Sequence, residues 1–187
     1  MADCCKFNGN LDKAGCGMAK GGLKGTIYAA NFCEIAGYGK TGKNVSAVTM
    51  EVDPLTTDPF YFYQIAFKNG TAGFNNEAQI GNNTFANQTL TFSVEGLTPA
   101  SLAVLEELMT AEVVFIVTDA RGTNHLLGRL EGMTISAATV GAGTAVDDMY
   151  GATLTFLGEE AELSNIVASG TTINVWNGTA AVSVVLP

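Results

Sequence analysis

The segment Val113–Thr118 (VVFIVT) is a fully apolar run and reads as a central strand. Before it, Thr84–Glu95 (TFANQTLTFSVE) alternates: Leu90, Phe92 and Val94 point one way, Thr89, Thr91, Ser93 and Glu95 the other. That period of two marks a half-buried antiparallel strand. A chain carrying both patterns must bury sheet against something.

The other segments supply more of the same. Leu23–Glu34, with Ile27, Tyr28 and Phe32, reads as the first strand. Val45–Val52 is β-branched or apolar and is closed by Asp53-Pro54. Tyr61–Lys68 (YFYQIAFK) is aromatic-rich and ends at Asn69-Gly70, a hairpin-turn pair. After a turn at Asp119–Gly122, His125–Ile135 returns as the partner of Val113–Thr118. Ala138–Asp148 reads as a flexible Gly/Ala/Thr loop, and Tyr150–Leu157 as a strand ended by a turn at Gly158–Glu160. Thr172–Trp176 and Thr179–Leu186 face each other across Asn177-Gly178, the strongest hairpin signal in the chain.

One helix interrupts the strands. Thr98 is a good N-cap, Pro99 suits the first helical position, and Leu102, Leu105, Leu108 and Met109 form one apolar face ending near Thr110. Strands, one helix, then strands predict a mainly β fold: a β-sandwich or small barrel with one flanking α-helix at about residues 99–110. The 187 residues divide into an arm at 1–22, with little hydrophobic period, and a single domain at 23–187.

Composition narrows the function. Only 14% of residues are charged, against ~25% in ordinary soluble domains, and 47% are hydrophobic. Such a surface is suited to being covered by neighbours. Residues 1–43 hold six lysines against three acids, a balance of +3, while residues 44–187 hold Lys68, Arg121 and Arg129 against fifteen acids, a balance of −12. The body should repel nucleic acid, and the basic front can dock on an acidic body, its own or a neighbour's. No basic leader and no long apolar run are present, so neither secretion nor a membrane helix is expected. The matches Asn82-Asn83-Thr84 and Asn87-Gln88-Thr89 then carry no glycosylation meaning.

Motifs with chemical potential are few. Gly37–Lys43 matches Gly-x-Gly-x-x-Gly and misses a phosphate loop at Asn44, where Ser or Thr is needed for Mg²⁺. Phosphate binding also needs a helix next, whereas Asn44–Met50 has strand character, so a Gly-rich β-turn loop is the better reading. Cys4, Cys5, Cys16 and Cys33 are the right number for a structural zinc, but their spacings do not suit paired chelation, and free thiols are expected. His125 is the only histidine; Asp119 lies across a turn from it, and no nucleophile is marked. Asp147, Asp148, Glu159, Glu160 and Glu162 lack the alternation of a calcium loop and read as solvated turns or as acids facing a channel. Trp176 beside a hairpin turn suits core, interface or sugar stacking. No catalytic, cofactor or metal site is expected, and the chain is not expected to be an enzyme.

The order of elements resembles the tail tube (major tail) proteins of long-tailed bacteriophages and their relatives in contractile injection systems. The resemblance rests on Thr84–Glu95, the helix Pro99–Thr110, the strand pair Glu112–Ile135, Gly141–Glu162 and the opening Gly21–Tyr28, covering most of residues 20–165. The arm and the final hairpin depart from it. The resemblance implies a virion subunit, assembled in a host bacterial cytoplasm, whose six copies close into a ring. Rings stack into a tube through which DNA passes without specific binding, with other tail or head–tail proteins as further partners and no membrane. The arm at 1–22 or the segment 137–149 would bridge rings. An adaptor or terminator ring is an alternative role. A second class is a capsid-decorating or carbohydrate-binding β-sandwich, in which Trp176, Tyr61 and Tyr63 would be exposed.

Overall fold

The computed structural model describes residues 21–24, 26–55, 58–68, 70–80, 84–141 and 150–187. The expected arm at 1–22 therefore falls almost wholly outside the described residues. The fold is mainly β, with 57% of the described residues in strands and 9% helical, a sandwich or half-barrel with one α-helix among them, consistent with its alternating segments.

Among the described residues thirteen strands follow one another: β1 (Ile27–Asn31), β2 (Ile35–Thr41), β3 (Asn44–Met50), β4 (Phe62–Ile65), β5 (Gly73–Gln79), β6 (Phe85–Glu95), β7 (Val113–Thr118), β8 (Asn124–Leu127), β9 (Thr134–Gly141), β10 (Gly151–Glu160), β11 (Asn165–Val167), β12 (Thr172–Trp176) and β13 (Ala181–Val185). Helix α1 (Pro99–Leu108) lies between β6 and β7. A nine-stranded sheet runs β13-β12-β4-β1-β7-β8-β11-β3-β2, and a four-stranded sheet runs β5-β6-β10-β9.

Strand β7 explains the architecture. Its odd residues Val113, Phe115 and Val117 enter a core between the two sheets, with Ile27, Leu90, Phe92, Leu127, Leu154 and Phe156. Its even residues Val114 and Ile116 enter a second core with Val45, Phe62, Leu126, Val167, Ile173, Val175 and Leu186. Every residue of that second core belongs to the nine-stranded sheet or its C-terminal end, yet all are at most 2% exposed. One sheet can bury its own face only by curling round it. The C-terminal Pro187 carbonyl accepts from Asn124 Nδ2 at 2.9 Å, tying the end of one margin to the middle of the sheet.

The four-stranded sheet is the half-buried layer that its alternation predicts. Leu90 and Phe92 are fully buried, while the opposite face is hydroxyl-lined, with cross-strand contacts Thr91–Thr155 at 3.2 Å and Ser93–Thr153 at 2.9 Å. Gly151 begins β10 where the backbone passes so close to β6 that a Cβ would collide with the Val94 carbonyl oxygen.

Several sequence expectations need correction. Gly37 and Gly39 lie in β2, beside its two register shifts, so they serve bulges in a strand; only Gly42 occupies the turn, at φ 61°. His125–Ile135 is two strands in different sheets, because the chain turns through Gly128 and Gly132 at φ 72° and 71°. Gly158–Glu160 continues β10 instead of turning. Ala138–Gly141 belongs to β9; the rest of the expected loop lies outside the described residues. Strands β5 and β11 had not been expected. The helix has the predicted Thr98 cap, completed by Ser101 in a reciprocal box, but ends at Leu108. Of its expected apolar face only Leu105 is buried, while Leu102 and Met109 are exposed.

Candidate functional site

The Gly-rich segment Gly37–Lys43 and the acidic segment Glu159–Glu162 meet in space. Glu162 accepts from Lys40 Nζ at 2.5 Å, Lys43 Nζ at 3.0 Å, Arg129 Nη2 at 2.6 Å and Asn165 Nδ2 at 3.0 Å. Arg129 also lies over the Tyr38 ring, 5.9 Å from its centroid. This hub pins the β2–β3 hairpin and the turn after β8 to the corner after β10. Lys40 and Lys43, from the basic front of the sequence, thus dock on the chain's own acidic body. The helix that phosphate binding would need is absent here, since Lys43 leads directly into β3.

Neither Glu160 nor Glu162 is a solvated turn residue, contrary to expectation. Glu160 is 1% exposed and accepts the Leu130 and Glu131 backbone N–H groups at 2.9 and 3.1 Å. Gln88 Oε1 accepts the Gly128 N–H at 3.0 Å, so the two side chains bracket the Gly128–Gly132 turn from the facing sheet. Burial raises the Glu160 pKa, and its two N–H donors and Arg129 offset this only in part. For Glu162 burial also acts upward, but Lys40, Asn165, Lys43 and Arg129 outweigh it and hold the carboxyl well below the usual range.

These opposite shifts have opposite consequences. A depressed carboxyl stabilises the fold above its unfolded value and loses that contribution as pH falls through the folded value. Glu160, with a raised value, favours the folded state as pH falls through its own titration. Glu162→Gln should therefore cost about 1.5–3 kcal/mol at pH 7, the scale of hydrogen bonds to a charged group. The gap to the parent should narrow as pH drops below about 4. Urea unfolding of both proteins from pH 7 to pH 3 measures it; a gap that stays constant over this range would contradict the assignment.

The remaining sequence candidates separate. His125 Nε2 lies 3.4 Å from Asp119 Oδ2, and its ring packs on Phe74 with centroids 4.6 Å apart. Burial raises the Asp119 carboxyl, but the Thr123 and Arg121 N–H groups and His125 prevail, and its pKa is lowered. The pair ties a turn. Cys33 is exposed and free, whereas Cys4, Cys5 and Cys16, the other residues considered for zinc, lie outside the described residues. Asp147 and Asp148 also lie outside them. Among the described residues no cluster of three or more His, Cys, Asp or Glu side chains could hold a metal ion, and no helix is long and apolar enough to cross a membrane.

What stands out is at the sheet margins. Among the described residues the four edge strands are β13 and β2 of the large sheet and β5 and β9 of the small one. Strand β2 carries Lys40 and two bulges, and β5 carries Glu77; both are ordinary protections against edge pairing. Strands β9 (TISAATVG) and β13 (AVSVV) have neither charge nor proline. Seven of the eight β9 residues and four of the five β13 residues are exposed. Val140 and Val182 are 49% and 42% exposed. Sequence reading missed β9 because its Gly/Ala/Thr composition resembles a loop.

The second surface is a cleft of about 660 Å³ between α1 and the β12–β13 hairpin. Its lining comes mostly from β1, β4, α1 and the end of β12 with the turn that follows it. Tyr63 and Trp176, paired across β4 and β12, stand exposed there.

No family model, no curated protein and no solved structure matches the chain.

Proposed function

We propose that the chain is a structural virion subunit that joins copies of itself through sheet edges, closing into a ring, hexameric in the tail-tube reading, whose stacks conduct DNA. The observation that carries this reading is the pair of bare edges, β9 and β13. An uncharged, exposed strand edge in an isolated protein is a template for aggregation, and pairing with another copy removes that liability. Among the described residues each sheet offers one bare edge, and two unlike edges suit a head-to-tail contact that repeats until it closes.

Charge supports the second half of the reading. Of the six described cations, Lys40, Lys43 and Arg129 converge on Glu162 and Lys68 pairs with Glu95 at 2.7 Å. Glu51, Glu77, Glu106, Glu107, Glu112, Glu131 and Glu159 meanwhile remain exposed. An acidic wall releases no counterions to DNA and lets it slide past.

Sedimentation velocity of the full chain tests self-assembly. Discrete closed oligomers or polymers, growing with concentration, are expected. A monomer persisting from micromolar to several hundred micromolar concentrations would end the proposal.

A further inference from the structure

The geometry points to a second activity, independent of assembly: the cleft between α1 and the β12–β13 hairpin binds a short neutral oligosaccharide.

Its floor is built by strand pairing. Strands β4 and β12 run parallel with Tyr63 opposite Trp176, so the two side chains emerge side by side on one sheet face, ~4.8 Å apart at the backbone. Both are exposed, at 47% and 37%, and Tyr61 supports the indole from beside it, with ring centroids 5.7 Å apart. Exposed large aromatics in a cleft are costly to leave in water and offer flat apolar surface to a ligand. Ile65, Val104 and Leu108 extend that surface.

The rim selects the chemistry. Glu107 of α1 lines the cleft, and among the described residues no hydrogen bond or ion pair engages its carboxylate, the Tyr63 hydroxyl or the Trp176 indole N–H. Asn177 uses its Oδ1 on the turn N–H groups of Thr179 and Ala180, which leaves its amide nitrogen for a ligand. Beside Asn31, which lines the cleft, Glu34 Oε2 is buried without a hydrogen-bond partner. Carboxylates accept and do not donate, so they ask for hydroxyl or N–H donors. The lining includes no Lys or Arg, and its one charged residue is an acid, which disfavours phosphates, nucleotides and acidic glycans.

A quaternary ammonium would want rings closing a box around it. Here Tyr63 and Trp176 lie side by side on one face, and the cleft of about 660 Å³ is in the range of an extended ligand. Apolar ring faces against aromatics, with hydroxyls at the acidic rim, describe a saccharide.

Trp176 is the only tryptophan, so fluorescence excited selectively at tryptophan reports on this cleft. Titration with maltotriose and with triacetylchitotriose, alongside saturation-transfer NMR on the same samples, provides the test. At least one trisaccharide should give a saturable fluorescence change and transfer to its ring protons. Tyr63→Ala and Glu107→Gln, both exposed positions, should each weaken it about tenfold or more. Absence of saturable binding by both methods at millimolar sugar overturns the proposal. So does binding that both variants leave unchanged, or variants that alter self-association alone, which would make the cleft a contact for another copy.

Discussion

Phe156→Ala should remove about 3–5 kcal/mol from the unfolding free energy, the scale of a fully buried aromatic lost from a packed core. Phe156 is fully buried between the two sheets, stacked on Phe92 at 5.9 Å with planes 6° apart and set edge-on to Phe115 at 4.8 Å. Phe92 and Phe115 also meet edge-on, at 6.4 Å, so the three rings form one triangle joining β10, β6 and β7. Removing one leaves a cavity lined by the other two in a close-packed interior. Urea unfolding measures the loss. A cost below about 1.5 kcal/mol, typical of a site that can collapse, would show that the sheets are not locked together by this contact.

The second large effect concerns assembly. Val140→Lys on β9 and Val182→Lys on β13 should each raise the concentration needed for self-association by about a hundredfold or more. A lysine held against a neighbouring strand places charge inside an interface, where mismatches cost several kcal/mol and ~1.4 kcal/mol is a factor of ten. Both side chains are about half exposed, so the folded monomer should keep its thermal midpoint. Gln79→Lys, on the already charged edge β5, serves as control and should leave assembly unchanged. Equal assembly by all three proteins would remove the bare edges from the account.

Much of this fold is legible in the sequence where local pattern and tertiary role agree. Thr84–Glu95 alternates because one face is core and the other hydroxyl-lined, and Val113–Thr118 does not because β7 separates two cores. The β12–β13 hairpin follows from Asn177-Gly178. Pattern misleads where long-range pairing decides. Gly73–Gln79 (GFNNEAQ) has almost no strand propensity, yet it pairs along β6 over seven residues. Glu162 looks like a turn acid because its partners lie 33 residues or more away, at Arg129, Lys40 and Lys43. The helix misleads in another way: its leucines fit an amphipathic stripe, but only Leu105 is buried, and Leu108 lines the open cleft. The aromatic cleft was legible only as residue types, Tyr61, Tyr63 and Trp176. Their convergence depends on a parallel pairing between strands more than a hundred residues apart.

Negative-stain electron microscopy of the purified full chain tests the central claim most directly. The account predicts rings with a central channel, or hollow tubes stacked from them. Uniform single particles of monomer size, across the same concentrations, would contradict it.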